Sequence, residues 1–552
     1  TLIGGYDSDI LIGGAGADKL YGFTDNPALS DDVGKDTASY ADAPAGVAVS
    51  LAAGFVGAVG EATGDTLYDI ANLTGSAFDD ELTGDANDNI FIGGAGNDVL
   101  TGGGGYDMAS YEDALTGVTV SLGITVSQNT LGAGWDTLSQ IEDLRGSDFN
   151  DILTGDAGNN YLRGGAGNDT LDGGTGNDFL EGESGDDILK DSSGADFLDG
   201  GFGNDTVSYE GAVANLNVDL TILTAQVTGA GTDLLKSIEN LTGGSGNDTL
   251  IGDSGDNVLI GGAGIDKLIG GLGADTLIGG ADADVLYGHF EDNTDKAEDG
   301  DIDTTSYIGS ALAVTVNLTA VSQSGGDAAG DELHNIEGII GSAGDDTLTG
   351  DPNDNILNGG AGADTLNGGL GNDILIGGAG GDILSGGGGI DTASYEGSDA
   401  AVNISLASGS YSGGHATGDT LTGIVNITGS DFGDTLEGDE GDNVLSGGKG
   451  NDAFVLSLLD TFNKISLGDL DATVGQDEYD GGEGVDIFPN FKALTGVKVF
   501  PGGFTLRDVD GITITDGLHS ITAKGSIMFS SATSITVESN VKLFSTEGDV
   551  IL

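Results

Sequence analysis

Residues 146–208 read GSDFNDILT GDAGNNYLR GGAGNDTLD GGTGNDFLE GESGDDILK DSSGADFLD GGFGNDTVS, seven nine-residue units with no gap. The eighth place is apolar throughout, as Leu153, Leu162, Leu171, Leu180, Leu189, Leu198 and Val207. The sixth is an acid or its amide, as Asp151, Asn160, Asp169, Asp178, Asp187, Asp196 and Asp205. The first six places are turn-like, with Gly where the backbone needs positive φ or close approach, and the last three hold the apolar residue of a short strand. Two units make one coil of a flattened parallel solenoid. Successive coils stack their strands about 4.8 Å apart and pile the Leu residues into an interior ladder.

The frame recurs in runs from Gly4, Gly75, Gly243, Gly341 and Gly429 and once alone at Gly481, giving 28 units and 252 of the 552 residues. In the further runs the sixth place is Asp9, Asp18, Asp80, Asp98, Asp107, Asp248, Asp266, Asp275, Asp284, Asp346, Asp364, Asp373, Asp382, Asp391, Asp434 and Asp452. The second unit of each longer run departs regularly: it pairs Asp85 with Asn89, Asp156 with Asn160, Asp253 with Asn257, Asp351 with Asn355, and Asp439 with Asn443. These second units are expected either to bind an ion with altered geometry or to cap the row.

Stacking the turns stacks the position-six carboxylates, and like charges so close cannot all stay ionised unless a cation lies between them. The ligands on offer are hard oxygens in a flexible turn with no His or Cys nearby, which favours Ca2+. All the position-six residues above, with the five Asp at position two, are therefore candidate ligands. The competing reading is that they are soluble turn residues.

Composition agrees with an array. The chain has 105 glycines, 91 Asp and Glu against 15 Lys and Arg, a net charge of −76, and no Cys. Helical bundles and doubly wound α/β enzymes are poorly served by so much Gly and Asp. A 38% apolar content argues against simple disorder. Such a polyanion is repelled by nucleic acid and by anionic membranes, so no nucleic-acid partner and no membrane insertion are expected. Disulfides and thiolate metal sites are excluded.

Units such as GGAGADKLY at Gly13, GGAGNDVLT at Gly93 and GGAGNDTLD at Gly164 match G-G-x-G-x-D-x-U-x. The chain thus resembles the RTX (repeats-in-toxin, haemolysin-type) calcium-binding β-roll family. The resemblance implies Ca2+ held between neighbouring turns by the position-six Asp and main-chain carbonyls, type I secretion from a Gram-negative bacterium, and folding outside the cell. On the order of 20 ions are expected from the number of adjacent turns.

The expected fold is all-β, an elongated parallel β-solenoid with wider inserted coils and a β-rich tail. The array starts over 1–35. Runs at 75–106, 146–204, 243–302 (with an acidic loop), 341–390 and 429–455 alternate with segments at 36–74, 107–145, 205–242, 303–340 and 391–428. Each segment opens on a phrase such as DTASY, and its Tyr40, Tyr111, Tyr209, Tyr307 or Tyr395 is read as a packing residue, a glycan-stacking row being the alternative. An acidic linker with one unit spans 456–488, and a tail of alternating short strands, read as a second solenoid, spans 489–552. Because TLIGG at Thr1 repeats an interior phrase, both ends are expected to be cut within a longer molecule.

No catalytic constellation stands out. His289, His334, His415 and His519 are scattered, no H-E-x-x-H or G-x-S-x-G occurs, and Trp135 is read as a core residue. Three function classes remain. The favoured one is an extracellular calcium-hardened structural protein (surface layer, sheath, fibre or adhesin), not itself an enzyme. The others are the non-catalytic part of a secreted enzyme or toxin, and a calcium-dependent polysaccharide-binding module. Expected partners are calcium ions and, through calcium, further copies of the chain or cell-surface polysaccharide.

Overall fold

The computed structural model describes residues 1–23, 34–290, 301–439, 441 and 443–455, and beyond these the backbone of strands between Glu478 and Ile551. The acidic loop at 291–300 and the linker at 456–477 lie outside the described residues. The chain divides into two compact units, Thr1–Leu272 and Gly273–Leu552.

In the first unit, strand Thr170–Asp172 pairs in parallel with Ile152–Thr154 and Ile188–Lys190, setting Leu171 opposite Leu153 and Leu189. On the facing sheet Leu162 pairs with Leu144 and Leu180, and Leu180 with Leu198. Partners stand 18 residues apart, so one coil is two nonapeptides and gives one short strand to each sheet. The side chain at position eight points inward between the sheets. Leu153, Leu162, Leu171, Leu189, Leu198 and Val207 are all 0% exposed. Burying a side chain of this size contributes about 1.5–3 kcal/mol per rung.

The second unit repeats the plan. Leu357 pairs with Ile339 and Leu375, and Leu366 with Leu348 and Leu384. Its tail strands are also parallel: Phe504–Asp508 pairs with Ile527–Ser531, Ile512–Ile514 with Ile535–Val537, and Ser520–Ala523 with Lys542–Ser545. Three strands per longer coil, rather than two, make the tail a different solenoid. Among the described residues no α-helix occurs, only three single 3-10 turns such as Gly60–Ala62, and no helix is long and apolar enough to cross a membrane.

The inserted segments continue the sheets as wider coils. Their pairs join residues 32 to 47 apart, as Asn217 with Thr249, Met108 with Asp143 and Lys19 with Thr66. The surplus length folds outward; Gln128–Asn129, for example, pairs antiparallel with Trp135–Asp136. Tyr40, Tyr111, Tyr209, Tyr307 and Tyr395 are buried, as packing residues would be. Trp135 overturns its expectation. It is 54% exposed, because the alternation of strand Trp135–Ser139 turns Asp136 and Leu138 inward and Trp135 out.

Candidate metal centres

The unit 164–172 shows how the turn is built. Gly165 and Gly167 have φ of +120° and +110° and lie on the coil before, where a Cβ would stand 2.2 Å from the Ser147 carbonyl oxygen and 2.6 Å from the Phe149 carbonyl carbon. Gly164 is needed for another reason. The Asp169 carboxylate folds across it, and a Cβ there would stand 2.2 Å from Asp169 Oδ2. Three glycines thus let the turns stack and bring position six inside.

Once inside, the carboxylates form a column. The N–H of Asp151 donates to Asp169 Oδ1 at 2.8 Å, that of Asp169 to Asp187 at 2.8 Å, and that of Asp187 to Asp205 at 2.8 Å. On the opposite edge Asn160 donates to Asp178 and Asp178 to Asp196. The second unit repeats this, from Asp346 to Asp364 to Asp382 and from Asn355 to Asp373 to Asp391.

On the interior rungs one oxygen of the carboxylate is therefore satisfied and the other is not. Oδ2 of Asp98, Asp107, Asp169, Asp187, Asp205, Asp364, Asp373, Asp382 and Asp391 is buried with no hydrogen-bond partner. Burial first, and then neighbouring carboxylates of the column, push Asp98 and Asp169 up to about 8 and Asp187 and Asp364 to about 7. The N–H bonds to Oδ1 oppose that rise. Buried carboxylate oxygens repeated along the interior coils and lacking any donor are suited to a hard divalent cation, and the residues present fit one.

The ends of the columns are closed by the protein itself. At the first rungs, Asp151 Oδ2 accepts the Ser147 N–H at 2.5 Å, and its Oδ1 accepts the Val118 N–H at 2.6 Å and the Ser147 hydroxyl at 2.9 Å. Asp80, Asp346 and Asp434 repeat this with Ser76, Ser342 and Ser430, while Asp248 uses the N–H groups of Gly244 and Leu216. The five Asn residues start columns in another way. Asn160 accepts the Asp156 N–H on Oδ1 at 2.9 Å and donates Nδ2 to the Glu142 carbonyl at 2.7 Å. The coil below presents a C=O there, which an amide can meet and a carboxylate cannot. Asn89, Asn257, Asn355 and Asn443 do the same toward Ala71, Glu239, Glu337 and Val425.

Position-two residues Asp85, Asp156, Asp253, Asp351 and Asp439 each accept an N–H two residues on, and Asp351 and Asp439 also accept the Nδ2 of Asn355 and Asn443. Asp9 and Asp18, in the first coil, donate their N–H groups to Asp36 and Asp65. Asp196 lies beside two further acids. Asp266, Asp275, Asp284 and Asp452 are buried rungs.

Sequence reasoning missed the closing rungs Asp65, Asp136, Asp233, Asp331 and Asp419. Asp98 and Asp382 donate their N–H groups to Asp136 and Asp419, so the column continues into the inserted segments. Each precedes a Leu by two places, the D-x-L of the repeat, and that was the available signal. There the second oxygen is satisfied: Tyr40, Tyr307 and Tyr395 donate their hydroxyls to Asp65, Asp331 and Asp419 at 3.1, 3.0 and 2.8 Å.

A β-solenoid whose stacked turns hold columns of buried carboxylate oxygen defines a class of calcium-binding repeat protein. Nine stretches, 1–26, 74–109, 145–180, 172–207, 237–268, 260–295, 339–366, 358–393 and 428–457, match the RTX calcium-binding nonapeptide repeat, and the chain belongs to that family. No curated protein matches the chain. It is a Ca2+-binding repeat protein with a β-roll fold.

Proposed function

We propose that the chain is an extracellular structural protein, of the surface-layer, sheath, fibre or adhesin kind, whose coils are locked by calcium after secretion. The observation that carries this reading is the row of partnerless Oδ2 atoms on interior rungs, bounded by rungs that need no ion. Ions bind at the interior rungs, Asp98, Asp107, Asp169, Asp187, Asp205, Asp364, Asp373, Asp382 and Asp391 among them. The Ser-held Asp and the five Asn close the rows, so the number of ions falls below one per nonapeptide.

Inside a calcium-poor cell the columns repel and the chain stays open for export. In about millimolar calcium, sites in the extracellular range of roughly 10⁻⁴ to 10⁻³ M fill and the coils close. The inserted segments favour a structural role, because they add wider coils to the same sheets. Far-UV circular dichroism at pH 7.5 with and without chelator tests the calcium step, and an unchanged spectrum sinks it. The structural role predicts that native cell-surface assemblies containing the chain dissolve in chelator and re-form with Ca2+ but not Mg2+.

A further inference from the structure

Of the 28 nonapeptide units, 27 open on Gly and one opens on Asp191. Elsewhere Gly is required because the position-six carboxylate crosses it; at Gly200, for example, a Cβ would stand 2.4 Å from Asp205 Oδ2. With a side chain at 191, the Asp196 carboxylate turns the other way. Both its oxygens lie against Gly194, where a Cβ would meet them at 2.6 and 2.9 Å. Asp191, Asp196 and Asp233 are all buried, and one oxygen from each lies within 4.8 Å of the other two.

The existing hydrogen bonds do not satisfy this cluster. Asp196 Oδ1 accepts the Asp178 N–H at 2.7 Å, Asp233 Oδ1 accepts the Asp196 N–H at 3.1 Å, and Asp233 Oδ2 accepts the Thr228 hydroxyl. Asp191, only 7% exposed, has no hydrogen-bond partner on either oxygen. The fully buried Tyr209 hydroxyl, pushed up by burial first and then by the charges of Asp191 and Asp233, lies beside Asp191 without a well-formed hydrogen bond. Its counterparts Tyr307 and Tyr395 both donate to a closing Asp.

We propose that Asp191, Asp196 and Asp233 form a separate calcium site, tighter than the repeat turns, that ties the coil of residues 191–208 to the inserted coil ending at Asp233. Three carboxylates this close and out of water need a cation or a shared proton. All the donor atoms are hard oxygens, and three anionic ligands exceed what a regular rung offers, which raises calcium affinity. The site does not depend on ions binding in the regular turns.

The test is calcium titration of the full chain, stripped and then competed against a chromophoric chelator with CaCl2 as the probe. The wild type is expected to hold one equivalent more tightly than all others. Asp191→Asn and Asp191→Gly should each weaken that equivalent by more than about 100-fold, the upper range for losing even a supporting partner of a metal ligand. Asp191→Gly restores the residue found in the other units, so it keeps the protein foldable, and circular dichroism in excess calcium checks this. Retention of the tight equivalent in both variants overturns the proposal. So does its absence from wild type together with higher calcium-free stability of Asp191→Asn, the mark of a proton-sharing triad. If only the regular turns failed to bind, the weak equivalents would vanish from all three proteins and the tight one would persist in the wild type alone.

Discussion

Protons should replace calcium in holding the coils together. Asp98 is 1% exposed, and burial carries its carboxyl from 3.8 up to about 8. In the unfolded chain at pH 7 that carboxyl ionises freely, so keeping it buried and protonated costs about 4 kcal/mol, or about 2 once water at the rim screens it. Asp169, Asp187 and Asp364, pushed to about 8, 7 and 7, add costs of the same kind. Together they rival the whole net stability of a domain, about 5–15 kcal/mol. The folded pKa lies above the unfolded one, so this stability is fully present below about pH 4 and is lost as pH rises through 6 to 8. Calcium-stripped protein should therefore have little β structure at pH 8 and regain it near pH 5, whereas calcium-loaded protein stays folded throughout. Circular dichroism with light scattering is the assay, kept above the sequence pI of about 4.1 to limit precipitation. A stripped protein whose β signal is flat, or falls, from pH 8 to 5 refutes the reasoning.

Two substitutions test the closed ends and one tests the turn. Ser147→Ala removes a hydroxyl and exposes Asp151 to its neighbours, and should cost about 1–3 kcal/mol by urea unfolding in saturating calcium without changing calcium stoichiometry. Asn160→Asp sets a carboxylate against the Glu142 carbonyl that now accepts at 2.7 Å, with a similar loss whether or not calcium is present. Gly164→Ala places a Cβ 2.2 Å from Asp169 Oδ2, and should cost about 1–3 kcal/mol and weaken calcium binding at that rung.

Much of the fold was legible because the repeat is local. Leu at position eight of every unit in 146–199 reports an interior that each coil must share with its neighbours, and pairs 18 residues apart follow from two units per coil. The expected ligands were legible only as a set. Asp151 and Asp169 occupy the same place in the motif, yet one has both oxygens satisfied and the other has one oxygen bare. Their difference lies at position two of their own units, where Ser147 gives its N–H and hydroxyl to Asp151 Oδ2 and the Asp169 unit has Gly165, a local signal that the shared Asp at position six does not carry. Trp135 was misread because hydrophobicity alone does not say which way a five-residue strand faces.

The sequence by itself determined the period, the inward Leu ladder and the calcium family, since all three are carried by residues inside a single nonapeptide. Only the tertiary structure decided which acids are closed by a Tyr and that Asp191 meets Asp233, because those partners come from other coils.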